Sequence, residues 1–163
     1  MRKVVKISAV LSWINLVFWS FACLSLLLAT AAGGAAFLIM AFFISAIPLH
    51  SYAALRLHKS IRNTALPLKR QTITGLRFMG FVVLFFGVTM LANGIATLRN
   101  TKEVLQMEQS MMPEFKHFTE QTVRLSGIIA LLLGLSLVVN VILNFRLLRW
   151  YYLSKVNEDK DNA

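Results

Sequence analysis

The chain has 163 residues, 57% of them hydrophobic, and 17 Lys or Arg against 7 Asp or Glu, for a formal net charge of +10. That length makes one domain, and so apolar a chain leaves too few polar residues to cover long buried helices in water. In a soluble domain such a charge would suggest nucleic acid, but neither a reading helix nor an aromatic stacking platform accompanies it, so nucleic acid is not expected as a partner.

In chain order, Arg2, Lys3 and Lys6 precede an apolar run over residues 7–29. The run imitates a signal peptide ending in "LATAA", but a signal core has about 7–15 apolar residues. This one is longer and contains Trp13, Asn15 and Trp19, so a retained span is expected. Cys23 is the single cysteine and can form no intrachain disulfide. "TAAGG" then turns the chain into a second apolar run, residues 35–55. About 20 apolar residues cross a hydrocarbon core roughly 30 Å thick, so both runs qualify. Pro48 removes the backbone bond to Ile44 and predicts a kink in the second span.

Residues 56–77 follow, with Arg56, Lys59, Arg62, Lys69, Arg70 and Arg77 and no acidic residue. They read as a cytoplasmic loop able to touch anionic lipid headgroups, at about 1 kcal/mol per surface cation. The third and fourth apolar runs are residues 78–98 and 125–145; none of the four contains Asp, Glu, Lys or Arg. Between them, over residues 99–124, Val104, Met107, Met111 and Phe115 recur near helical spacing. Pro113 suits the first turn of a helix, with Glu114 near its positive end. Span three is therefore expected to continue to Gln109 and span four to begin near Pro113, as an extracytoplasmic helical hairpin projecting about 15–20 Å. "RLLRWYYL" extends span four, with Trp150, Tyr151 and Tyr152 at headgroup level, before a frayed polar tail over residues 154–163.

Basic and basic-poor connections alternate. Six cations in 56–77 contrast with none in "TAAGG", and the four in 99–124 are balanced by Glu103, Glu108, Glu114 and Glu120. Cytoplasmic flanks collect Lys and Arg. The expectation is an all-α integral membrane protein of the cell membrane. It is a four-helix transmembrane bundle of two antiparallel hairpins with both termini cytoplasmic.

Gly80, Gly87 and Gly94 recur every seven residues, as do Gly127 and Gly134. Heptad spacing keeps residues on one helix face, and small residues there let membrane helices approach closely. A tight antiparallel pair of spans three and four is expected, a hinge or homodimer face being the functional alternative. Val83 is expected to face lipid. Asn15, His50 and Asn140 come to matched depths, roughly 8–10 Å inside the cytoplasmic face at 1.5 Å per residue. They form a candidate polar cluster that is either interhelical glue, at about 0.6 kcal/mol per contact, or a pocket open to the cytoplasm. A metal or proton role for His50 is a further alternative. Met107 and Met111, with Met112 and His117, resemble a soft-metal set, but methionine also fills adaptable contacts. With Phe115 they are assigned to an interaction face, and no metal is expected.

No zinc-ligand spacing, nucleophile elbow, phosphate loop or acid pair occurs in the sequence. No catalytic residue and no cofactor are assigned. The expected role is a non-enzymatic accessory protein whose partners are the bilayer and another membrane protein or a second copy. The alternatives are a small oligomeric transporter or channel with a pocket near His50, and a lipid-acting enzyme.

Overall fold

The first glycine is Gly33 and the first proline Pro48, so nothing breaks the opening helix, α1, which runs Arg2–Gly33. A computed structural model of the chain describes residues 2–33, 35–63, 66–111 and 119–161. After α1 come α2 (Ala35–Ile44), α3 (Ala46–Arg62), α4 (Arg70–Arg99), α5 (Thr101–Met111) and α6 (Glu120–Asp161). Among the described residues there is no strand. Four helical stretches among the described residues are long and apolar enough to cross a membrane: Lys3–Thr30, Phe37–Arg62, Arg70–Arg99 and Glu120–Ser154.

The second stretch is interrupted at Ser45, three residues before Pro48. A proline ring collides with the carbonyl four residues earlier and offers it no N–H; here that carbonyl belongs to Ile44, the last residue of α2. The Ser45 hydroxyl donates to the Phe42 carbonyl at 2.6 Å, and its N–H to the Ala41 carbonyl at 2.9 Å, so those bonds persist at the interruption. The α4–α5 joint falls at Asn100. The Asn100 N–H donates to the Ala96 carbonyl at 2.9 Å and the Val104 N–H to the Asn100 carbonyl at 3.0 Å, continuing the helical path.

Two boundaries differ from the sequence reading, and a third lies outside the described residues. The basic stretch 56–77 is largely helical, because α3 continues to Arg62 and α4 begins at Arg70. Lys59 and Arg62 occupy the last turn of α3, where the helix dipole favours cations. The tail expected to fray is helical to Asp161. The expected start of span four near Pro113 falls in residues 112–118, outside the described residues, and α6 is described from Glu120.

Burial runs opposite to that of a soluble helix. On α1 the buried positions are Val5, Ser8, Ser12, Asn15 and Trp19, spaced three and four apart, while Ile7, Val10, Trp13, Ile14, Val17, Phe18 and Phe21 are exposed. On α4, Phe78, Phe81, Phe85 and Val88 are exposed while Gly80, Gly87 and Gly94 are buried. Apolar faces this continuous exceed what a monomer exposes to water, and they match lipid instead.

The chain divides into two units, Met1–Val83 with Val139–Ala163, and Leu84–Val138. In the first, Val5, Ala54, Leu57, Leu76, Leu147, Leu148 and Tyr151 form one buried cluster drawn from α1, α3, α4 and α6. In the second, the seam is glycine. A Cβ on Gly87 would stand 3.2 Å from the Gly134 carbonyl oxygen, and one on Gly94 would stand 2.9 Å from that of Gly127. Residue numbers thus rise along α4 as they fall along α6.

Candidate functional site

Several buried polar side chains of the first unit gather around Asn144. The Ser8 hydroxyl donates to Asn144 Oδ1 at 2.8 Å, and His58 Nε2 lies 2.9 Å from the same oxygen and 3.1 Å from Ser8 Oγ. An amide oxygen only accepts, so His58 carries its proton on Nε2. Asn144 Nδ2 donates to Asn140 Oδ1 at 3.0 Å, which also accepts from Ser12 Oγ at 3.0 Å. Ser8, Ser12, His58, Asn140 and Asn144 are all buried. Two groups are left over: His58 Nδ1 and Asn140 Nδ2 have no hydrogen-bond partner among the described residues.

Each helix brings its members through its own spacing. Ser8 and Ser12 are one turn apart on α1, and Asn140 and Asn144 one turn apart on α6; residues four apart share a face. His58 arrives because α3 extends past residue 55. The sequence reading grouped Asn15, His50 and Asn140 by depth. All three are buried, but the described bonds of Asn140 run to Ser12 and Asn144, whereas His50 meets α4. His50 Nδ1 donates to the Leu76 carbonyl at 3.2 Å, and its ring lies edge-on to Phe145 at 6.4 Å between centroids. A Cβ on Gly80 would meet Phe145 at 2.6 Å and His50 at 3.1 Å, so that glycine makes room for both rings. His50 Nε2 is buried without a partner among the described residues.

Reasoning by depth missed Ser8, Ser12, His58 and Asn144 as members. A signal for the first was present: Ser8, Ser12 and Asn15 fall at helical spacing within an apolar run. His58 was hidden by its basic neighbours.

The basic connection is also tied down. Leu68 N–H donates to Tyr151 Oη at 3.1 Å, Ser60 Oγ donates to the Leu66 carbonyl, and Ser60 Oγ lies 3.5 Å from Tyr151 Oη. Tyr151, expected at headgroup level, is buried. Its neighbour Tyr152 is the exposed ring, with Arg77 over it at 5.4 Å from the centroid.

At the glycine seam, a Cβ on Gly134 would stand 2.8 Å from the Gly87 carbonyl oxygen, and one on Gly127 would stand 3.1 Å from Leu98. Val83, expected to face lipid, is fully buried instead. It lies four residues before Gly87 and three after Gly80, on the same α4 stripe. Of the expected interaction face, Met107 is exposed on α5. The Met111 side chain and Phe115 lie outside the described residues, as do Met112 and His117. Among the described residues no group of three or more His, Cys, Asp and Glu could hold a metal ion.

Searches of protein-family models, curated proteins and solved structures found no match to the chain.

Proposed function

We propose that the chain is a four-span protein of the cell membrane, both termini cytoplasmic, that works by associating with another membrane protein or a second copy of itself. Catalysis and coupled transport are not part of this reading. The observation that carries it is how much of its hydrogen bonding the buried polar network spends on itself, His58 Nδ1 and Asn140 Nδ2 being its two unpartnered groups among the described residues. Ser8, Ser12, His58, Asn140 and Asn144 direct their hydrogen bonds chiefly at one another across α1, α3 and α6. Carriers and membrane enzymes keep buried polar groups for cargo or chemistry. Groups committed to one another hold helices together. The contact surface is assigned to α5, whose exposed Met107 sits on a helix outside the apolar spans.

A photo-crosslinking residue at Met107 tests this in cells. A discrete protein adduct is expected, and it should disappear when Met111 and Phe115 are made polar while membrane insertion persists. Crosslinks to lipid alone would reject the surface.

A small carrier is the second reading, and His50 Nε2 favours it as a buried acceptor without a partner among the described residues. Flux of solute through liposomes holding purified protein, abolished by His50→Leu, would establish the carrier and displace the association reading.

A further inference from the structure

The first 102 residues contain eleven Lys or Arg and no Asp or Glu, so any anion balancing them must come from elsewhere. Two cations share one concavity. Arg77 on α4 and Arg149 on α6 line a groove of about 370 Å³ whose remaining walls include Phe81, Phe145, Leu148 and Tyr152. The guanidinium of Arg77 lies over the Tyr152 ring, and Phe81 packs against Phe145 at 5.6 Å between centroids. The groove is thus cationic and aromatic at one end. At the other end it is apolar, one helical turn (about 5.4 Å) further along α4.

Its position along the helices matters as much as its lining. Arg77 immediately precedes the apolar run 78–98, and Arg149 follows the run 125–145 by one turn. Both therefore fall at the level where phosphates begin and acyl chains end. Arginine matches phosphate oxygens with its planar fork of donors, and tyrosine suits the same interfacial level.

We propose that this groove binds one anionic phospholipid, its phosphate held by Arg77 and Arg149 and the start of an acyl chain laid over Phe81 and Phe145. The proposal rests on the membrane-spanning part of the reading above and is independent of any protein partner. It differs from general attraction to the basic connection. The cavity there, lined by Arg56, Lys59, Lys69 and Ser60 among others, offers cations but no comparable aromatic wall, and Arg56 already donates to Tyr52 Oη at 2.6 Å.

The test uses the full-length protein in nanodiscs of equal parts phosphatidylglycerol and phosphatidylcholine, with retained lipid counted by native mass spectrometry. Phosphatidylglycerol should be retained in preference. Arg77→Gln with Arg149→Gln should cut that preference roughly 30-fold, the factor two interfacial cations supply together. Lys59→Gln with Lys69→Gln should leave it in place; an equal loss in both pairs would reduce the effect to surface charge and overturn the site. Displacement of the lipid by inorganic phosphate would overturn a phospholipid as the ligand. Should the arginine variant fail to fold, Phe81→Trp in the otherwise native chain decides. Its added emission should be quenched more by brominated phosphatidylglycerol than by brominated phosphatidylcholine, and equal quenching rejects the proposal. Alkaline extraction separates the two readings. A chain released from the bilayer is not membrane-spanning, whereas a retained chain without lipid preference loses only the site.

Discussion

Asn144 gathers hydrogen bonds from Ser8 and His58 and, through its own amide, gives one to Asn140. Interhelical hydrogen bonds in membranes average about 0.6 kcal/mol, so Asn144→Leu, which removes the three that reach Ser8, His58 and, at 3.5 Å, Ser12, should cost about 2 kcal/mol in detergent unfolding. Ser12→Ala, which removes one donor, should cost well under half as much, and equal losses would mean that the bonds do not act as a set. Glycines give the opposite test at the same scale. At Gly75 a Cβ meets nothing within 4 Å, so Gly75→Ala should gain up to about 1 kcal/mol from helix propensity alone. At Gly134 it would press on the Gly87 carbonyl, so Gly134→Ala should lower the melting temperature despite the same propensity gain. The glycine period was readable because sevenfold spacing is a property of sequence. The Asn144 partnerships were not, because depth can be counted along a span while rotation about its axis cannot. Asn15, His50 and Asn140 match in depth, yet His50 turns toward Leu76.

At the scale of elements, α3 departs furthest from its sequence. Arg56, Lys59 and Arg62 mark a loop by composition, but Leu57, His58 and Ser60 are buried between them on the inner face. Charges on one side of a helix and buried groups on the other are an amphipathic pattern, which the first arginine of an otherwise uncharged span hides. Leu57→Ala should therefore cost about 2–5 kcal/mol, as for a core leucine, measured by detergent unfolding; a loop residue would cost less than about 0.5 kcal/mol. The long apolar elements were legible because length and composition alone identify them. The joint at Ser45 was legible from Pro48, although it falls one turn earlier than the proline.

For the whole molecule, the testable property is orientation. Alternating basic and balanced connections place Asn63 in the cytoplasm and Ser110 outside under the proposed topology. With Cys23 replaced, a cysteine at Ser110 should react with an impermeant thiol reagent in intact cells, and one at Asn63 should react only after permeabilisation. The reverse pattern would invert the chain in the membrane. It would also move the Arg77 and Arg149 groove to the outer leaflet, which changes the lipids available to it without changing its chemistry.

The distance along the chain between hydrogen-bonded partners carries a consequence for biogenesis. Ser8 and Asn144 are 136 residues apart, and Ser12 and Asn140 are 128 apart. At a synthesis rate of about 5–20 residues per second, α1 waits on the order of 10 s before either asparagine exists. Through that interval its serines can satisfy themselves only by turning back onto their own helix, and its inner stripe remains open to lipid or to an insertion chaperone. Because α6 is made after α1, a chain stalled between the two would leave Ser8 and Ser12 without the asparagines they bond to.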